Sequence, residues 1–147
     1  MKRWLKMTLL TGCVVCTSLA SPEGSAGGIL KYHVKVKNDI AVEYWPSTGT
    51  PIHTTCTVYL YRPDYSYQVA TIAAGATHTF TVNGPHCPAR LEGTCQSDYG
   101  QPVTMYTRCL TGKESWGSGI SCTAACWSSD WFIRRSDTNR SLHFHKE

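Results

Sequence analysis

Apolar and polar residues alternate over short stretches of this chain, and turn-forming residues separate the stretches. The first example lies between residues 30 and 37, where every second position is apolar: Leu30, Tyr32, Val34 and Val36. A period of two places successive side chains on opposite faces of a β-strand. Turn signals such as Asn83-Gly84-Pro85 recur along the chain, with almost no helical periodicity between them. This pattern predicts an all-β domain.

About eight short strands can be assigned in this way, which is typical of an antiparallel, Greek-key-like β-sandwich. Residues 29–37 and 40–44 should form a hairpin that turns at Asn38-Asp39. Residues 131–135 and 140–145 should form a second hairpin at the end of the domain. At most one short helix is expected, near residues 121–128, where the apolar residues do not alternate.

The first twenty residues have the organisation of an export signal. Basic residues precede a short apolar stretch, and Ser18-Leu19-Ala20 supplies small residues at a cleavage site. We therefore assign residues 1–20 to a signal peptide, 21–28 to a flexible lead-in and 29–147 to one disulfide-bonded domain. The expected location is secreted or periplasmic. An alternative is a lipid anchor through Cys13, because the four residues ending there resemble a bacterial lipobox.

The positive charge of the chain belongs largely to this signal. The whole chain has 14 Lys and Arg against 10 Asp and Glu, and a net charge of +4. Removal of Lys2, Arg3 and Lys6 leaves 11 basic residues and a net charge of +1. A nearly neutral domain gives no reason to expect a nucleic-acid partner. No apolar run reaches the ~18 residues of a transmembrane helix, so none is expected after cleavage.

Six cysteines follow the predicted cleavage site. An even number of cysteines in an exported chain predicts a disulfide framework. Six cysteines allow 15 pairings, and the sequence does not choose among them. The six are Cys56, Cys87, Cys95, Cys109, Cys122 and Cys126.

The motifs of common hydrolases are missing from the sequence. It has no Gly-x-Ser-x-Gly element, and paired cysteines cannot act as nucleophiles. Half of the acidic residues after the signal lie in predicted turns, where turn formation explains them. We therefore expect a non-enzymatic protein without a cofactor. A small secreted hydrolase whose catalytic residues lie far apart in the sequence is the alternative.

Aromatic residues are the most promising ligand-binding groups. Tyr and Trp have a rigid apolar ring with a polar tip, which suits contacts with proteins and with sugars. In the strand at residues 55–61, Cys56, Val58 and Leu60 should point inward, so the tyrosines between them point outward. The predicted binding residues are Tyr59, Tyr61, Tyr106, Trp45 and Trp116, and the predicted partner is a protein or a glycan.

Two histidines suggest a third possibility, a periplasmic metal-binding protein. His143 and His145 are two residues apart on a predicted strand, so both rings should project from the same face. Two imidazoles can bind zinc or copper, but a stable site needs a third ligand. His33 or Glu43 could provide it only if the last strand lies beside the first hairpin.

Overall fold

The computed structural model describes residues 30–103, 105–117 and 120–147 of the chain. The predicted signal peptide and lead-in, and with them Cys13, lie outside these residues. The described part contains strands and turns and no helix. It accordingly contains no helix long and apolar enough to cross a membrane.

Twelve strands are present in the described residues. They are β1 (Lys31–Asn38), β2 (Glu43–Tyr44), β3 (Pro51–Ile52), β4 (Thr54–Tyr61), β5 (Tyr67–Ile72), β6 (Thr77–Asn83), β7 (Arg90–Ser97), β8 (Pro102–Val103), β9 (Tyr106–Cys109), β10 (Glu114–Trp116), β11 (Ser129–Arg135) and β12 (Leu142–Lys146).

The longer strands form two sheets. One has four strands in the order β12-β11-β1-β6, and the other has the order β10-β9-β7-β4-β5 with β8 added beside β7. Strands β2 and β3 form a separate small hairpin. The all-β, mainly antiparallel fold is therefore confirmed, with one exception, because β1 and β11 run parallel.

Alternation determines which side chains enter the core. In β4, Cys56, Val58 and Leu60 are buried while the residues between them are not, as predicted. The four-stranded sheet contributes large residues such as Trp131 and Phe80 to the same buried cluster. A single cluster filled from both sheets is the packing of a two-layer sandwich.

The first predicted hairpin is wrong. Strand β1 pairs with β6 and β11, while Glu43 and Tyr44 of β2 pair with β3 instead. The side chain of Asn38 explains why the chain leaves the sheet at this point. Its amide donates to the carbonyl groups of Thr54 and Ile72, and its Oδ1 accepts from the backbone N–H of Ile40. The last predicted hairpin is confirmed by the pairing of β11 with β12.

Three disulfides cross-link the domain. Cys56–Cys95 joins β4 to β7 inside the core. Cys87–Cys126 fastens residues 120–126 to the loop before β7, and Cys109–Cys122 fastens them to the end of β9. Such a framework is typical of proteins in an oxidising compartment.

The segment that could have formed a short helix is held without helical structure. Besides its two disulfides, the backbone N–H of Ala125 donates to the carbonyl of Pro88 at 2.7 Å. The carbonyl of Ile120 accepts a hydrogen bond from Arg90 Nη1 at 3.1 Å. Backbone groups used in these contacts are not available for the hydrogen bonds of a helix turn.

Candidate functional site

The five predicted binding residues lie at three separate places. Tyr59 and Tyr61 are on the outer face of the six-stranded sheet. Tyr106 and Trp116 contact each other where β9 and β10 approach β12. Trp45 lies in the turn of the β2–β3 hairpin, beside Tyr99.

The first place is a group of tyrosines on β4 and β5. The ring centroids of Tyr59, Tyr61 and Tyr67 are 5.3 to 6.1 Å from one another. The hairpin register puts Tyr61 opposite Tyr67 and Tyr59 opposite Val69. Tyr65, in the turn between the strands, is 68% exposed, and Tyr67 is 54% exposed. We call Tyr59, Tyr61, Tyr65, Tyr67 and Val69 the tyrosine face.

A largely buried ion pair lies beside the tyrosine face, on the neighbouring strand β7. The guanidinium of Arg90 lies 4.5 Å from the ring centre of Tyr61 and 5.5 Å from that of Tyr65. Its Nε is 3.1 Å from Glu92 Oε1, although the two atoms are not aligned for a hydrogen bond. Burial, and then the Glu92 carboxylate, raise the pKa of Tyr61.

A hollow of about 210 Å³ adjoins the tyrosine face. Tyr59 and Tyr61 form one wall, and Met105 and Thr107 belong to the opposite side. Glu92 also lines it. Within the described residues, Glu92 Oε1 is buried and accepts no hydrogen bond. A partner side chain could fill the hollow, but it would not reach this oxygen, which is buried beside Arg90 Nε.

At the second place Tyr106, one of the predicted binding residues, is half-buried, while Trp116 is exposed. The Tyr106 ring stacks on His143 of β12, with centroids 4.5 Å apart, and contacts Trp116 edge-on at 4.6 Å. The reason is that Thr107 takes the outer face of β9. Its hydroxyl donates to the carbonyl of Gly117.

A carboxylate, an imidazole and a hydroxyl follow one another in this cluster. His143 Nδ1 is 2.6 Å from Glu114 Oε1, and His143 Nε2 is 2.8 Å from Ser141 Oγ. This is the order of groups in a serine-hydrolase relay. However, Ser141 is only 4% exposed, and its hydroxyl also contacts Asn139 Oδ1. In this arrangement the hydroxyl cannot reach a substrate.

The two histidines of the predicted metal site share one face of β12, with ring centroids 6.0 Å apart. Strand β11 separates β12 from β1, so His33 does not lie next to them. Glu43 is paired with Arg135 and Arg140. In the described parts of the chain, no three His, Cys, Asp or Glu side chains are grouped so that they could hold a metal ion.

The third place is a cleft between two turns, with a volume of about 370 Å³. Trp45 and Tyr99 line it and have their ring centroids 5.3 Å apart. Tyr99 was not identified from the sequence, because nothing local relates it to Trp45. Tyr67 was also missed, although the hairpin pairing of residues 55–61 with 67–72 would have placed it opposite Tyr61.

Comparisons with known proteins add little to this geometry. No family model matches the chain, and no curated protein matches it. One similar solved structure is the NMR structure of a protein from Eubacterium rectale, with a TM-score of 0.47 and 9% sequence identity. The alignment covers 86% of this chain and 94% of that one.

Proposed function

We propose that this chain is an exported, non-enzymatic binding protein that holds a protein partner on its tyrosine face. The single observation that carries the proposal is the exposed group of tyrosines beside the hollow at Glu92. Export is supported by the basic and apolar N-terminal sequence and by the three disulfides. The location we propose is secreted or periplasmic, with lipidation at Cys13 as the alternative.

The chemistry of the tyrosine face favours a protein over a small ligand. Tyr and Arg are enriched among the residues that dominate binding energy at protein interfaces. Here the rings of Tyr59, Tyr61 and Tyr67 already contact one another and Arg90 packs against Tyr61, so less side-chain freedom is lost when a partner binds. The adjoining hollow offers a pocket for one anchoring side chain of the partner.

A comparison of variants tests this proposal. The oxidised protein and its Tyr65→Ala/Tyr67→Ala variant are each used to capture proteins from an extract of the source organism, with chemical cross-linking. Both tyrosines are exposed, so the fold should survive. Tyr44→Ala is the matched control, because Tyr44 is 64% exposed and lies outside the tyrosine face.

The expected result is a partner that the wild type and the Tyr44→Ala protein capture and that the double variant loses. A typical loss is on the order of tenfold or more for truncated interface tyrosines. Equal capture by all three proteins would contradict the proposal.

Hydrolysis is the second candidate function, because Glu114, His143 and Ser141 form a hydrogen-bonded chain of the required order. This function requires a conformation that exposes Ser141. Labelling of that serine provides the test, described in the Discussion.

A further inference from the structure

The cleft at Trp45 combines two exposed rings with polar side chains. Trp45 is 47% exposed and Tyr99 is 53% exposed. The planes of the two rings are inclined by 43°, so together they form an open wedge. The volume of about 370 Å³ lies within the roughly 300–1,000 Å³ of common ligand sites.

Backbone hydrogen bonds within the two turns fix the backbone from which both rings project. The backbone N–H of Trp45 donates to the carbonyl of Thr50, and that of Gly49 donates to the carbonyl of Trp45, each at 2.8 Å. In the second turn, the N–H of Ser97 donates to Gln101 O at 3.0 Å. A turn backbone that is fixed before binding loses less conformational entropy when a ligand arrives.

A further set of contacts ties the Tyr99 turn to the strand beside it. Asp98 Oδ2 accepts a hydrogen bond from the backbone N–H of His53 at 2.8 Å and lies 3.1 Å from its ring Nδ1. In return, the N–H of Asp98 donates to the carbonyl of His53 at 2.9 Å. The position of Tyr99 relative to Trp45 therefore depends on Asp98.

The polar groups of the cleft supply both donors and acceptors without a strong net charge. Glu43 and Arg135 line it as an ion pair, with Arg135 Nε 3.4 Å from Glu43 Oε1. The side chain of Gln101 adds an amide, which can both donate and accept, and Thr54 and Ser97 add hydroxyl groups.

We propose that this cleft binds a neutral saccharide. One face of a sugar ring presents C–H groups that pack on a flat aromatic ring, as Trp45 and Tyr99 would allow. Neighbouring sugar hydroxyls each donate and accept hydrogen bonds, which matches the carboxylate of Glu43 beside the guanidinium of Arg135. The site is separate from the tyrosine face, so either proposal can fail while the other stands.

The test is a titration of the oxidised protein with neutral mono- and oligosaccharides of glucose, galactose, mannose and N-acetylglucosamine. Binding is followed by calorimetry and by the NMR signal of the Trp45 indole N–H. We expect at least one saccharide to shift this signal. Trp45→Ala and Tyr99→Ala should each weaken its affinity by about tenfold or more, as loss of a central aromatic contact does.

Two controls separate a lost contact from a lost fold. Trp127→Ala removes an exposed tryptophan outside the cleft and should bind as the wild type does. Glu43→Gln keeps the size of the side chain but removes its charge, and it should weaken binding without changing the NMR signals of the core. If no saccharide in the series shifts the Trp45 signal, or if the cleft variants bind equally well, the proposal is wrong.

Discussion

Tyr106 and His143 stack with their ring planes only 14° apart, and this contact joins β9 of one sheet to β12 of the other. Just before β9, Met105 pairs in parallel with Leu142. The two layers of the fold therefore meet along one side through backbone and side-chain contacts. Tyr106, predicted to bind a ligand, and His143, predicted to bind a metal, thus also connect the two sheets. We call this contact the joint.

Replacement of His143 should weaken this joint. His143→Ala removes the stacking on Tyr106 and the hydrogen bonds to Glu114 and Ser141, so we expect a loss of about 1–3 kcal/mol in the free energy of unfolding. His143→Phe keeps an aromatic ring and should lose less. Denaturant unfolding measures both, with His86→Ala at an exposed histidine as the control. Equal stability of His143→Ala and wild type would refute the structural role.

Ser141 should not react with a fluorophosphonate probe. Its hydroxyl belongs to a relay of the right order, but the residue is almost fully buried. Mass spectrometry of the treated protein provides the measurement. Labelling of Ser141 that disappears in His143→Ala would instead favour the hydrolase.

Removal of the Cys87–Cys126 disulfide should loosen the segment at residues 120–126, which Cys109–Cys122 still attaches. Cys87→Ser/Cys126→Ser should lower the free energy of unfolding by about 2–4 kcal/mol and speed proteolytic cleavage within this segment. Cys56→Ser/Cys95→Ser is the control, because it leaves both attachments of the segment in place. An unchanged cleavage rate in the Cys87→Ser/Cys126→Ser variant would contradict this prediction.

We expect thiol titration of the denatured, oxidised wild type to find the six cysteines at positions 56–126 fully paired.

Acid should weaken the turn that carries Tyr99. The backbone N–H of His53, followed by its side chain, holds the pKa of Asp98 below its ordinary value of 3.8. The carboxylate therefore stabilises the fold above about pH 4, and this contribution disappears as the pH falls through the lowered pKa. Asp98→Asn should reduce the melting temperature at neutral pH, and its curve should approach that of the wild type in acid. Asp137→Asn, which changes an exposed carboxylate in another turn, is the control. If the melting temperatures of Asp98→Asn and wild type differ by the same amount at every pH, Asp98 does not have this role.

Local sequence patterns predicted most strands, but they did not predict contacts between residues that are distant in the sequence. Alternation of apolar residues identified the inward positions of β4 and the hairpin of β11 and β12, because those depend on neighbouring residues. The first hairpin failed because the buried side chain of Asn38 bonds to Thr54 and Ile72, which are distant in the sequence.

The candidate sites differ in the same way, because some depend on one strand and others on contacts between strands. Tyr59 and Tyr61 were predicted because they share one face of one strand. The pairing of Trp45 with Tyr99, and the approach of Glu114 to His143, join separate strands and turns. Such contacts depend on the order of strands in the sheets, which alternation does not specify.

The parallel pairing of β1 with β11 also governs the order in which the domain can assemble. Val34 of β1 lies opposite Ser129, so one edge of this inner strand can be paired only after the ribosome has made a much later segment, whereas β6 can pair with its other edge earlier. Contacts between residues so distant in sequence slow folding, because a long loop must close first. Until that segment has been synthesised, one edge of β1 therefore remains unpaired.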